Sequence, residues 1–206
     1  MRFPICAALL ATFLGISPVH AEDAFHQPLI REIQALHEKS EKGDKQATRE
    51  LVERLEGLHK EKPGQSLIQA YLGSAYTLAS RDAFPGPKKM EHLKVGLKTM
   101  DKAVESDPEN IPTRFIRAVN NYNLPTFINR RDNAREDFEI LLSQIKKKPD
   151  QLNPLTNQAI YYYAGLSFKQ LSRKDEARSS WEAGLVLDKK SDIGLKISDE
   201  LEKIRK

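Results

Sequence analysis

The 206-residue chain has one cysteine and one tryptophan, and its long apolar run is confined to the first 21 residues. Cys6 lies inside that leading segment, far from its end, where a lipid-attachment cysteine would stand. Arg2 supplies a positive start, "FPICAALLATFLGI" is too short to span a bilayer comfortably, and "VHA" (Val19 to Ala21) has the small-x-small form of a cleavage site. The segment reads as a secretory signal peptide cut after Ala21, leaving residues 22–206 as one domain. That mature chain has no cysteine, which excludes disulfides, thiolate metal sites and cysteine nucleophiles. No membrane insertion of the mature chain is expected.

An excess of one charge is also missing. Lys and Arg number 33 against 29 Asp and Glu, a net charge of +4. The densest basic run, Lys146 to Lys148 before Pro149, suits a solvated helix end complementing the helix dipole. Nucleic acid is therefore not an expected partner. Catalytic and cofactor motifs are lacking too. His26, His37, His59 and His92 are scattered, with none of the zinc spacings. There is no G-x-S-x-G, phosphate loop or dinucleotide fingerprint. "FPGPKK" holds one glycine between prolines and suits a turn, not a phosphate cradle. No enzyme activity, cofactor or metal is expected.

Strand patterning is missing past residue 22. Apolar residues recur at three and four spacings, as in amphipathic helices. Pro and Gly breaks near Gly43, Pro63-Gly64, Pro85 to Pro87, Pro108 to Pro112, Pro125 and Pro149 to Pro154 cut the chain. The expected helices are 27–41, 45–60, 65–81, 87–106, 111–123, 131–147, 155–171, 174–187 and 191–205.

Two of these helices contain Gly165 and Gly184, each costing about 1 kcal/mol relative to alanine in a helix interior. A close helix crossing explains the cost. Gly165 and Ala177 would let paired helices approach and Gly184 would admit the next helix, with Tyr161, Phe168 and Trp181 filling the space around them. Burying a large aromatic gains about 1.5–3 kcal/mol, which exceeds the penalty.

The spacing Tyr161, Ala164, Gly165, Phe168, then Ala177 and Trp181, resembles the tetratricopeptide repeat (TPR), a 34-residue helix-turn-helix. Gln158 to Ser191 fits that length, with Lys189 departing from the usual proline. Leu72, Gly73 and Tyr76, then Ala103 and Pro108, resemble a second unit (70–110) with an insertion of about eleven residues around "SRDAFPGPKKMEH". Ala118, Ala134 and Phe138 mark a third (111–149), and Ala35 and Ala47 a degenerate first unit (27–62). The resemblance implies an all-α, right-handed TPR-like solenoid of about four hairpins. A last helix with Ile193, Ile197, Leu201 and Ile204 on one face would cap it.

The resemblance further implies action through a concave face formed by the first helix of each hairpin. Its positions fall on Ala70, Ser74 and Thr77, then Phe115, Val119 and Tyr122, then Tyr162, Leu166 and Lys169. Such an apolar-aromatic groove suits a protein or peptide partner. The family's charged carboxylate clamp is not matched, because Phe115, Val119, Tyr162 and Leu166 stand at its Lys and Asn positions. The expectation is a protein-binding scaffold, periplasmic or secreted. The alternative is a periplasmic accessory protein of a transport system that binds a small anion through Arg81, Arg114 or Arg117, with the connections near 81–90 and 124–131 folding over a pocket. Internal pairing of those arginines, with Asp82, Asp101 or a helix C-terminus, is the competing role. A third reading is an envelope adaptor using the convex face.

Overall fold

The computed structural model describes residues 21–205, and side chains from 28 to 204. Cys6 and the expected signal peptide up to residue 20 lie outside the described residues. Among those described, α-helices are joined by turns and two short 3-10 segments, Thr126–Ile128 and Pro149–Gln151. The helices are α1 (Ala21–Glu41), α2 (Lys45–Glu61), α3 (Ser66–Asp82), α4 (Pro87–Ser106) and α5 (Ile111–Asn123). They continue with α6 (Arg131–Lys147), α7 (Pro154–Gln170), α8 (Lys174–Leu187) and α9 (Asp192–Arg205). Apart from the start of α1, every end lies within a residue of the expected one.

Local chemistry sets these ends. Asp44 caps α2, its carboxylate accepting from the Gln46 and Ala47 amides at 2.9 and 3.0 Å. Asn153 caps α7 through the Thr156 amide at 2.8 Å, with Pro154 pre-set in the first turn. The α1–α2 and α7–α8 connections share one geometry. In the first, the Gly43 amide bonds Ser40 O and the Asp44 amide bonds Lys39 O; in the second, the Ser172 amide bonds Lys169 O and the Arg173 amide bonds Phe168 O. Both are Schellman turns closed by a left-handed residue. Gly43 takes that conformation at φ 98°, but in α7–α8 it falls to Ser172 at φ 63°.

The contacts divide the described chain into two compact units, and the division falls within α5, after Arg117. In the first unit α1 packs on α2, α2 on α3 and α3 on α4. Ile33, Leu51, Leu55, Ile68, Tyr71 and Met100 form its buried interior. In the second unit α6 packs on α7, α7 on α8, and α9 on both α7 and α8. Phe138, Leu141, Ile160, Trp181 and Ile197 are its buried interior. Ile193 and Leu201 join them, so α9 covers the last hairpin with the face expected to cap it.

The glycines play two distinct parts. A Cβ on Gly73 would sit 2.7 Å from Gly96 O, and one on Gly96 would sit 2.6 Å from Gly73 O. The α3 and α4 backbones thus cross at a glycine pair. Gly165 works differently from the helix-to-helix approach expected of it. A Cβ there would fall inside the indole of Trp181, so the glycine makes room for a ring. Gly73 also faces Met100 Cγ, 2.5 Å from its would-be Cβ. Met100 on α4 therefore stands where Trp181 stands on α8, and the inserted "FPGPKK" connection leaves the repeat register intact. Gly184 abuts Tyr161 of α7 and Ile197 of α9, as a close approach by the next helix requires.

Candidate functional site

In the first unit, the first-helix face runs along α1 and α3. Gln34 Nε2 donates to the Tyr71 hydroxyl at 3.2 Å, and His37 Nε2 lies 2.7 Å from Ser74 Oγ. The two contacts repeat at a three-residue step on both helices and form a polar ladder inside an apolar seam. Burial pushes the Tyr71 phenol up to about 12. Burial, aided by the positive charge of Arg81, holds His37 down to about 4, so the ring is neutral at pH 7. Its Nδ1 lies 3.5 Å from Glu41 Oε1. Burial lifts that carboxyl to about 7, against the opposing pull of Arg81.

Of the expected groove positions in this unit, Ala70, Ser74 and Phe115 are buried, Phe115 to 1% exposure. Ser74 is bound to His37, and Thr77 is half-buried with its hydroxyl on Ser74 O at 2.7 Å. The arginines considered as anion anchors bond within the chain. Arg81 donates to Ser40 O at 2.7 Å, to Glu41 O at 3.2 Å and to Asp82 Oδ1 at 2.8 Å, so it closes the C-terminus of α1. Arg114 donates to Pro108 O at 2.7 Å, and Arg117 pairs with Asp101 at 3.3 Å. The three hold different partners.

The "SRDAFPGPKKMEH" insertion lines a pocket of about 580 Å³ against α2. Lys45, Arg49, Val52, Asp82, Phe84 and Lys88 are among its walls. The sequence marks this stretch as a turn, but nothing in its spacing shows that Phe84 stays exposed.

In the second unit, Val119 and Tyr162 are buried and Tyr122 is half-buried. Tyr122 meets Tyr163 edge-on, with centroids 6.2 Å apart, and Tyr163 meets Tyr162 edge-on at 5.3 Å. Leu166 is half-buried, and Lys169 reaches across to α9, with Nζ 2.5 Å from Glu200 Oε2 and 5.8 Å from the Trp181 ring centre. Burial opposes ionisation of Glu200, but hydrogen bonds from Lys169 and Lys203 outweigh it and hold the carboxyl below its usual value. The Trp181 indole donates to Tyr162 O at 3.0 Å. Gln158, buried, donates to Gly184 O and Asp188 O at 3.0 and 2.5 Å and accepts from Ser191 Oγ at 2.6 Å. That one amide joins α7 to the end of α8 and the approach to α9. Sequence reasoning passed over Gln158, His37 and Gly96, because each acts through a partner distant in the chain.

The groove positions therefore divide. Phe115, Val119, Tyr162, Ala70 and Ser74 serve packing, while Thr77, Tyr122, Leu166 and Lys169 remain in part accessible.

No protein-family model matches the sequence, and no curated protein matches it. Solved structures do. A thermophilic TPR protein of Thermus thermophilus superposes with a TM-score of 0.61 at 16% identity, over 87% of this chain and 86% of that one. A structure described as "MamA MSR-1 C2" gives a TM-score of 0.47 at 20% identity, over 83% and 82% of the two chains. At such identities the similarity is one of fold. The helical hairpins, the small-residue seats at Gly73 and Gly165 and the covering helix α9 agree with it: the chain folds as a TPR-like helical repeat protein.

Proposed function

We propose that the chain is a non-enzymatic scaffold of the bacterial envelope that binds another protein. The observation behind this reading is the set of TPR-like hairpins within each unit, in which side-chain bonds fix helix ends and seams. A surface held this way is pre-formed, so a partner is met without the cost of ordering loops. The carrier alternative draws less support, because Arg81, Arg114 and Arg117 are engaged within the chain. Binding through the first-helix face falls to the accessible positions Tyr122 and Leu166, and to Thr77 in the other unit. Export, inferred from the leading segment, puts the partner in the envelope.

The test is affinity capture from the cell envelope with the full chain, beside Tyr122→Ala/Leu166→Ala and Thr77→Lys variants of unchanged helicity. A protein retained by the native chain and lost by either variant supports a groove-binding scaffold. A protein retained equally by all forms would move binding off the first-helix face. If no protein is retained by any form, the scaffold reading fails.

A further inference from the structure

We propose that the pocket between α2 and the α3–α4 connection docks a short acidic segment of another protein carrying one large apolar side chain. The proposal rests on the scaffold reading and adds to it a surface and a class of partner.

Phe84 is 91% exposed, although burying a phenylalanine gains about 1.5–3 kcal/mol. The connection that carries it is stiff. Pro85 and Pro87 fix their own φ angles, and Gly86 between them sits at φ 148°, which side chains rarely adopt. Reciprocal bonds staple its two ends. Ser80 Oγ donates to Lys89 O at 2.8 Å, and Lys89 Nζ returns to Ser80 O at 2.8 Å. Asp82 accepts from Thr48 of α2 at 2.8 Å. The exposed ring is thus held out by the chain's own construction, beside the pocket that it helps to line.

The charges around the pocket are unbalanced. Asp82 is neutralised by Arg81. Among the described residues, Glu53 is then the one acidic wall residue without an ion pair, against Lys45, Arg49 and Lys88. Lys45 and Lys88 are exposed and make no ion pair among the described residues, and Arg49 donates to the uncharged Gln46. The first turn of α4, which opens on Pro87 with no side-chain cap, adds partial positive charge to the same rim. Between the cations lie Val52, Ala79 and the two prolines, an apolar wall. Acidic groups complement the rim, and an apolar side chain packs on Phe84 and this wall. The volume falls in the range of about 300–1,000 Å³ typical of small-ligand sites.

A displayed random heptapeptide library panned on the full chain tests this, with the winning peptide synthesised and titrated by fluorescence anisotropy. The comparison variants are Phe84→Ala and Lys45→Glu/Lys88→Glu, all at exposed positions. The expected winners carry an aromatic or long aliphatic residue beside two or more acidic ones. They should lose at least about tenfold in affinity for each variant, and should weaken as salt screens the pairs. Winners that bind both variants as tightly as the native chain would overturn the pocket while leaving the scaffold reading intact. Winners without acidic residues, or no winners, would overturn the partner class, and envelope capture would still judge the scaffold reading separately. Saturable binding of phenylacetate with no peptide selected would replace the peptide by a small carboxylate and overturn the proposal.

Discussion

Replacing Gly165 by alanine adds a single carbon, yet it tests the packing of the last hairpin directly. In an open helix the change stabilises by about 1 kcal/mol through propensity. Here the new Cβ overlaps the Trp181 indole, which is fully buried and hydrogen-bonded to Tyr162 O. A rigid bicyclic ring so enclosed has no free rotamer to take. Overpacking of this kind costs about 1–3 kcal/mol. Displacing the ring also threatens its hydrogen bond, worth about 0.5–1.5 kcal/mol. The net expectation is a loss of about 2 kcal/mol. Urea unfolding followed by far-ultraviolet circular dichroism reads it as a lower midpoint at unchanged slope. Gly57→Ala in α2 is the control, since nothing lies within 4 Å of its would-be Cβ, and it should stabilise by up to about 1 kcal/mol. In a Trp181→Leu background the Gly165→Ala penalty should shrink, giving a coupling energy above about 1 kcal/mol. A Gly165→Ala protein as stable as the parent, or one whose loss is the same with and without the indole, would refute the argument.

Ser172→Gly should raise stability by about 0.5–1 kcal/mol, because glycine accepts the left-handed angle that serine holds under strain; an unchanged urea midpoint would count against the Schellman assignment. Phe115→Ala and Tyr162→Ala should each cost about 3–5 kcal/mol in the same assay, so neither serves as a binding variant; a loss below about 1 kcal/mol would show these side chains to be accessible. Stability against pH carries a further test. His37, depressed to about 4 from 6.5, adds stability above pH 6.5 that is lost as pH falls toward 4. Glu41, raised to about 7 from 4.5, adds stability below pH 4.5 that is lost as pH rises through 7. Each effect is about 3 kcal/mol, and between pH 4.5 and 6.5 they run in opposite directions. His37→Gln should therefore gain stability on acidification through that window, and Glu41→Gln should lose it. Parallel pH curves for both variants and the parent would rule this out.

The helices were legible because their signals are local. Apolar spacing and the Pro and Gly breaks act within a turn or two of the chain, and the ends followed from residues such as Pro154 and Gly43. The repeat was legible at Gly165 and Trp181 for a related reason, since a side chain that large needs a missing one nearby. The groove was less legible. A repeat position tells which way Phe115 or Tyr162 points, but not what packs over it, and both are buried. Arg81 illustrates the same limit. Its charge suggested a ligand, whereas internal acceptors, two of them about forty residues away along the chain, engage it. Gly96 and Met100 carried no motif of their own. Their role emerges only when the α3–α4 insertion is set aside and Gly96 is seen against Gly73.

Trp181 has one more consequence. It is the chain's single tryptophan, and it belongs wholly to the second unit. Its emission therefore reports the melting of α7, α8 and α9, while the amide signal reports helices in both units. Coincident curves from the two probes would mean that the units unfold together; curves that separate would give each unit its own free energy, without any added label.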